Sequence, residues 1–361
     1  MHSGVITIPT VMAMAEQKGN LGGKEFITTI ALGVDMMCRL ALATTPGRSP
    51  IEMGWHQTTL FGYMGAAGVA GRIMGLDEER MVNAMGIAYH QCGGNGQCVK
   101  DGALTKRLGP GFSVKGGITA ALLAEKGVTG AHNCLDGEWG LYNLYWRGDY
   151  DPKVLTADLG ERFEGTNVSI KPYPCCRGIH PAIDASLALV KEHDIGTENV
   201  QGIVLFVTDT HHSLLCSPKE VKLKPRNPVD AQFSIPWGVA TAIARKRVAL
   251  EDFTESAIQS QDILEVTNKM SVKVDTSLNR SDKIEPTRVE ITTKGGEVHS
   301  KMVEHPLGSP ERPMSFDDCV RKFRDCAKQL RDEQIDRLIE LIGRLEQIND
   351  IREVIQLLSF Q

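Results

Sequence analysis

The chain has 361 residues, of which 42% are hydrophobic and 24% charged, with a net charge of −5 at pH 7. The apolar fraction excludes intrinsic disorder, and Gly and Pro scattered without a period exclude a collagen-like chain. A mildly acidic chain with no long basic run argues against nucleic acid or an anionic membrane as a partner, and the length predicts two domains.

Met1-His2-Ser3-Gly4 leads straight into structured-looking sequence. Positions 1–25 lack the basic region and apolar core of a secretory signal. The weakly polar stretch 58–71 is shorter than the roughly 20 residues a membrane span needs. Nine cysteines at irregular spacings read as reduced thiols rather than a disulfide framework. A soluble cytoplasmic protein is expected.

The first 165 residues read as helix-rich. Segments 8–17 and 25–43 carry apolar residues at three- and four-residue spacing. Segment 58–73 holds Gly62, Gly65, Ala66, Gly68 and Gly71 on a helical pattern, at a cost in intrinsic helicity. Close backbone approach to a neighbouring helix accounts for them; room for a ligand is the alternative. Gly75-Leu76-Asp77 closes that helix and caps the next, over 78–89, with Glu78 and Glu79 in its first turn.

From about Val168 the pattern changes. Ile203 to Val207 is a compact apolar run, and Met270, Val272 and Val274 alternate with polar residues. Segments 287–293 and 297–303, joined around Gly295-Gly296, predict a hairpin, with helices at about 181–192 and 233–244. The last fifty residues return to helix. Ser315-Phe316-Asp317-Asp318 follows Pro310 and Pro313 as a capping-box pattern, and 333–358 continues at helical period. Such a tail must dock, and the early helices are the obvious partner. The expected fold class is mainly α with an α+β insertion: a helical domain from 1–167 and 309–361, with an α+β domain inserted at 168–308.

Phosphate-loop, dinucleotide-fingerprint, nucleophile-elbow and zinc-protease patterns are all missing, so no cofactor is expected. His90, Cys92 and Cys98 lack a second pair at zinc spacing, so no metal is expected. Four polar clusters remain: 54–59, with His56; 101–109, read as a loop carrying Lys106; 171–180, at the domain junction; and 209–212, after the 203–207 strand. Each has a bland reading. Lone His and Lys residues in loops are usually solvated, Tyr173 between two prolines can stiffen a linker, and Cys175-Cys176 can be buried thiols. Together the clusters supply Lys, Arg and His with few acids. Lys and Arg suit a substrate with several carboxylates, and His suits proton transfer near neutral pH.

The stretches His2-Ser3-Gly4, Gly54-Trp55-His56-Gln57-Thr58-Thr59, 65–77, Leu104-Thr105-Lys106-Arg107-Leu108-Gly109-Pro110-Gly111, 171–185, 231–237 and 310–323 resemble the MmgE/PrpD family. Its members include 2-methylcitrate dehydratase, cis-aconitate decarboxylase and iminodisuccinate epimerase. The 171–185 segment is the most specific match, and the matches run over essentially the whole chain in family order. The resemblance implies a helical domain built from both chain ends, an inserted lid, a homodimer and an active site between the domains. It also implies cofactor- and metal-free chemistry on a small polycarboxylate.

Residue by residue, His2 and His56 resemble the family's two active-site histidines, Lys106 its loop lysine and Lys171 the lysine opening the junction motif. These four are the expected catalytic residues. Tyr173, Cys176, Arg177, His180 and His212 are expected to bind substrate. Cys176 stands where the decarboxylase branch has a histidine, and His212 roughly where it has a tyrosine, which weighs against decarboxylation. Family members carry further helices, with an acidic active-site residue, ahead of the His-small-Gly element, so the chain is expected to lack that front segment. The expected reaction is dehydration of a 2-methylcitrate-like acid by proton abstraction beside a carboxylate and loss of the β-hydroxyl. Epimerisation of an imino- or amino-dicarboxylate through the same carbanion, or an inactive truncated member, are the alternatives.

Overall fold

A computed structural model describes residues 1–44, 53–280 and 285–359. By internal contacts the chain divides into two compact units, Met1–Thr166 with Gln329–Gln361, and Asn167–Lys328. The architecture is mainly α with an α+β insertion.

The first unit is built on α1 (Gly4–Lys18), α2 (Gly23–Leu42), α3 (Gln57–Met74), α4 (Glu78–Gln91) and α5 (Thr105–Glu125). The small residues of α3 let its neighbours approach closely. A Cβ at Gly62 would lie 2.7 Å from Ile6 of α1 and 2.9 Å from Ser113 of α5; one at Gly65 would lie 2.6 Å from Met37 of α2. On α5, a Cβ at Gly117 would lie 2.5 Å from Ala66 and 2.6 Å from the Tyr63 carbonyl oxygen. The glycine pattern is therefore packing rather than room for a ligand along the helix. These contacts fix direction as well. Residues 2, 6 and 58, 62 pair in ascending order between α1 and α3, as do 59, 62, 66 and 109, 113, 117 between α3 and α5. The three helices run parallel, and their N-termini lie together.

Gly75 caps α3 in the left-handed region at φ 73°, and the Asp77 side chain accepts from Arg80 N–H at the start of α4, as the sequence predicts. On α2 the buried Arg39–Asp35 pair, at 2.7 Å, ties in a later segment. Arg39 donates to the Ala157 and Arg162 carbonyls, and Asp35 accepts from Glu164 N–H. The chain end docks on the start of α2: Gly23 N–H donates to Ile348 O at 2.8 Å and Ile351 N–H to Leu21 O at 2.9 Å. A Cβ at Gly23 would fall 1.7 Å from the Leu345 carbonyl oxygen. That docking needs exposed backbone groups, so the predicted continuous helix over 333–358 stops at Gly343 and resumes as short turns.

The second unit centres on a four-stranded sheet of order β2-β1-β3-β4. Its strands are β1 (Val200–Val207), β2 (Met270–Val274), β3 (Thr287–Thr293) and β4 (Val298–Val303). β1 and β2 are parallel; β1–β3 and β3–β4 are antiparallel, the latter being the predicted hairpin. Helices α6 (His180–Glu192) and α7 (Ile235–Arg245) build a core with the sheet through Ile183, Leu189, Leu205, Val289 and Trp237.

Two boundaries differ from expectation. Helix α8 (Phe316–Cys326) carries the predicted capping box, with Ser315 accepting from Asp318 N–H. It belongs to the second unit rather than the helical one: Asp325 accepts from Leu250 N–H, and Lys328 donates to Glu251 at 2.8 Å. The chain rejoins the first unit only at Gln329, instead of at 309. Lys106, expected on a loop, sits in the first turn of α5, because 105–109 continues directly into the helix that packs on α3.

Candidate active site

Within the first unit, His2, His56 and Lys106 gather where α1, α3 and α5 begin. His2 precedes α1; its backbone N–H donates to Thr58 Oγ1 at 3.0 Å, and its Nδ1 lies 3.2 Å from the same oxygen. His56 is the residue before α3, and its Nδ1 lies 2.6 Å from Thr59 Oγ1. Thr59 is in turn enclosed by two glycines. A Cβ at Gly109 would lie 2.6 Å from Thr59 Oγ1, and one at Gly94 would lie 2.7 Å from Thr59 Cβ. Ser113 donates to the Thr59 carbonyl at 2.8 Å. Thr58 and Thr59, both buried, are thus the residues that orient the histidines. Sequence reasoning quoted them without assigning them a role; their placement in the first turn after His56 was the available signal.

Electrostatically this cluster favours anions. Helix N-termini carry partial positive charge, and three of them meet here beside the Lys106 ammonium. Burial first, and then the Lys106 charge, push His56 down to about 4, so its imidazole is neutral at physiological pH.

The second unit gathers the junction motif. Lys171 Nζ donates to the Cys175 carbonyl at 3.0 Å. Tyr173 is not a passive stiffener: its hydroxyl donates to Asp184 Oδ1 at 2.6 Å, and its ring meets His180 edge-on at 5.2 Å. His180 is 1% exposed, and burial, followed by Lys171 and Arg177, pushes it down to about 3. Its Nε2 has no hydrogen-bond partner among the described residues. Cys175 is buried and burial raises its thiol, which makes it inert; Cys176 is half-buried, with its N–H donating to Gln232 O at 2.8 Å. Arg177 is half-buried, and burial lowers its guanidinium.

After β1, the structure brings His211 rather than His212 up to this motif. His211 is buried, 3.6 Å from Glu285, and a Cβ at Gly178 would lie 2.7 Å from its Nε2. His212 is half-buried at the start of the turn that follows. Asp184 and His211 are the functional candidates that sequence reasoning did not select. Among the described residues no three His, Cys, Asp or Glu side chains are grouped as metal ligands. No helix among those residues is long and apolar enough to cross a membrane.

Comparison with known proteins gives these clusters a context. The model of the MmgE/PrpD N-terminal domain matches residues 1–153, and that of the MmgE/PrpD C-terminal domain matches residues 173–347. The chain belongs to the MmgE/PrpD family. Each of the two models falls largely within one structural unit. Among MmgE/PrpD relatives, the chain is 24% identical to the cis-aconitate decarboxylase-like protein oryM of Aspergillus oryzae, over 99% of this chain and 77% of that protein. It is 24% identical to a cis-aconitate decarboxylase of Aspergillus terreus, over 99% and 76%. The identity to cis-aconitate decarboxylase of Homo sapiens is also 24%, over 99% and 74%.

Proposed function

We propose that this MmgE/PrpD protein is a cofactor-independent lyase that removes a group from a small di- or tricarboxylate through a carbanion formed beside a carboxylate. The observation that carries this reading is the meeting of a neutral histidine, a lysine and three helix N-termini at one end of the first unit. A carbanion next to a carboxylate is costly in water, and fixed cations and dipoles are what lower that cost.

His56 is the general base. With Nδ1–H donating to Thr59 Oγ1, Nε2 keeps its lone pair and can take the proton. An imidazole held down to about 4 is a weak base in the empty protein. A bound polyanion opposes the Lys106 charge and draws the imidazole back up, so the base strengthens when substrate arrives. Lys106 and Lys171 bind carboxylates and spread the developing charge, and His2 supplies or receives a second proton. Cys176, Arg177, His180 and His212 remain the substrate-binding proposals, and Tyr173 serves binding through the turn that holds Lys171.

In the dehydratase reading the C–H electron pair forms the new double bond. The β-hydroxyl then leaves and takes a proton, departing as water. In the second reading, favoured by the decarboxylases among the relatives, a C–C bond breaks instead. Carbon dioxide leaves, and the electron pair on carbon takes up a proton. Incubation with citrate-like and aspartate-like acids in heavy water separates the outcomes. Loss of water supports the first, release of carbon dioxide the second, and deuterium exchange with neither indicates epimerisation.

Lys106→Ala and His56→Ala are each expected to lower kcat/KM by about 100-fold or more on whichever acid turns over. Near-parental turnover in both would overturn the assignment.

A further inference from the structure

We infer that Asp184 and Tyr173 form a positioning pair that holds the Lys171 ammonium in place. The inference rests on Lys171 being a substrate-carboxylate ligand, as proposed above. Lys171 donates to the Cys175 carbonyl oxygen. The direction of that carbonyl is set by a tight turn, in which Cys175 N–H donates to Tyr173 O at 2.9 Å. Gln232 holds the far side of the turn, its Nε2 donating to the Pro174 carbonyl at 3.2 Å and its own backbone carbonyl accepting from Cys176 N–H at 2.8 Å, and Tyr173 anchors the near side. Tyr173 is fixed at its ring, edge-on against buried His180, and at its hydroxyl, which donates to Asp184 Oδ1.

Asp184 is 8% exposed, and its second oxygen is already used. Oδ2 accepts from Leu307 N–H at 2.7 Å and from Arg312 Nη1 at 3.0 Å. A carboxylate suits this place because three donors converge on it from two parts of the chain, and an amide offers only one acceptor atom. The segment that enters the unit at 170 and the turn that follows β4 near 308 are also joined directly. Ile170 N–H donates to Gly308 O at 2.8 Å, and a Cβ at Gly308 would fall 1.9 Å from the Ile170 carbonyl oxygen. The residues flanking Lys171 are therefore held on both sides, and the Cys175 turn meets α6 through the Tyr173 hydroxyl on Asp184, the Tyr173 ring on His180 and a hydrogen bond between His180 and the Cys175 backbone. Burial and the Asp184 charge raise the Tyr173 phenol, so it stays protonated and donating across the working pH range.

The test uses Tyr173→Phe in the full chain, which keeps the ring against His180 and removes the bond to Asp184. Two readouts are taken once melting curves confirm that the variant is folded. The first is acylation of Lys171 by an amine-reactive ester, followed by peptide mass spectrometry, with exposed Lys246 as internal standard. Release of Lys171 is expected to raise its labelling rate about tenfold, the equilibrium worth of one hydrogen bond. An unchanged rate overturns the positioning pair.

The second readout is a double-mutant cycle on kcat/KM. Tyr173→Phe is expected to cost about tenfold, mainly in KM, in the parent and nothing further in Lys171→Ala. An equal loss in both backgrounds overturns the inference in favour of a purely structural role. Full turnover by Lys171→Ala alone, with faster labelling in Tyr173→Phe, overturns the assigned function of Lys171 and leaves the positioning geometry standing. Asp184→Asn, which keeps one acceptor, is expected to fall between the parent and Asp184→Ala in labelling rate.

Discussion

His56 illustrates how far a single residue's chemistry depends on its neighbours. An isolated imidazole titrates near 6.5, but burial and the Lys106 charge hold this one at about 4. The sign follows directly: the base form is present above about 4 and is lost only as pH falls through that value. The acid limb of kcat/KM, which reports the free protein, is therefore expected near pH 4 rather than 6.5. In Lys106→Gln the repelling charge is gone, so the His56 pKa measured by NMR titration is expected to rise toward the ordinary range. No change would show that the two do not interact. The pairing of His56 with Thr59 is local, three residues apart, but nothing in the sequence singled it out. The influence of Lys106 was not legible there either, because fifty residues separate it from His56 and only the packing of α5 on α3 brings them together.

At the level of elements, the start and end of α3 were readable from capping chemistry and period, while the reason for its glycines was not. Small residues on a helical pattern are consistent with close packing or with space, and only the partner helices decide. The same distinction predicts opposite effects on one helix. Gly117→Ala places a methyl 2.5 Å from Ala66 and against the Tyr63 carbonyl, so it is expected to destabilise by about 1–3 kcal/mol. At Gly111 a Cβ meets nothing within 4 Å, and Gly111→Ala is expected to stabilise by about 0.5–1 kcal/mol through helix propensity. Thermal melts of the two variants, side by side, check the sign. The α8 boundary teaches a related lesson: its capping box was visible in sequence, but its allegiance was set by Leu250 and Glu251, about 75 residues earlier.

Across the molecule, neutral buried histidines set an acid limit on stability. His56 and His180 are held at about 4 and about 3, and burial lowers His211 as well. The unfolded chain takes up these protons as pH falls below about 6.5, whereas the folded chain does not. The contribution is complete above pH 6.5 and is progressively lost as pH falls toward 4 and then 3. The melting temperature is expected to hold level from pH 8 to 7 and to decline below 6.5, with a shallower slope in His56→Gln. Parallel slopes for parent and variant would place the acid sensitivity elsewhere.

Sequence alone determined the helix-rich ends, the α+β insertion, the hairpin, the caps and the family, because periodicity, turn chemistry and local motifs are short-range properties. It also supplied the histidines and lysines of the candidate site as types of residue. Tertiary structure decided which of them meet: His2 with Thr58, His56 with Thr59 and Lys106, and Lys171 with the turn that Tyr173 ties to Asp184. The physical reason is that hydrogen bonds and charge interactions act over a few ångströms of space. Helix packing, rather than spacing along the chain, is what makes those distances small.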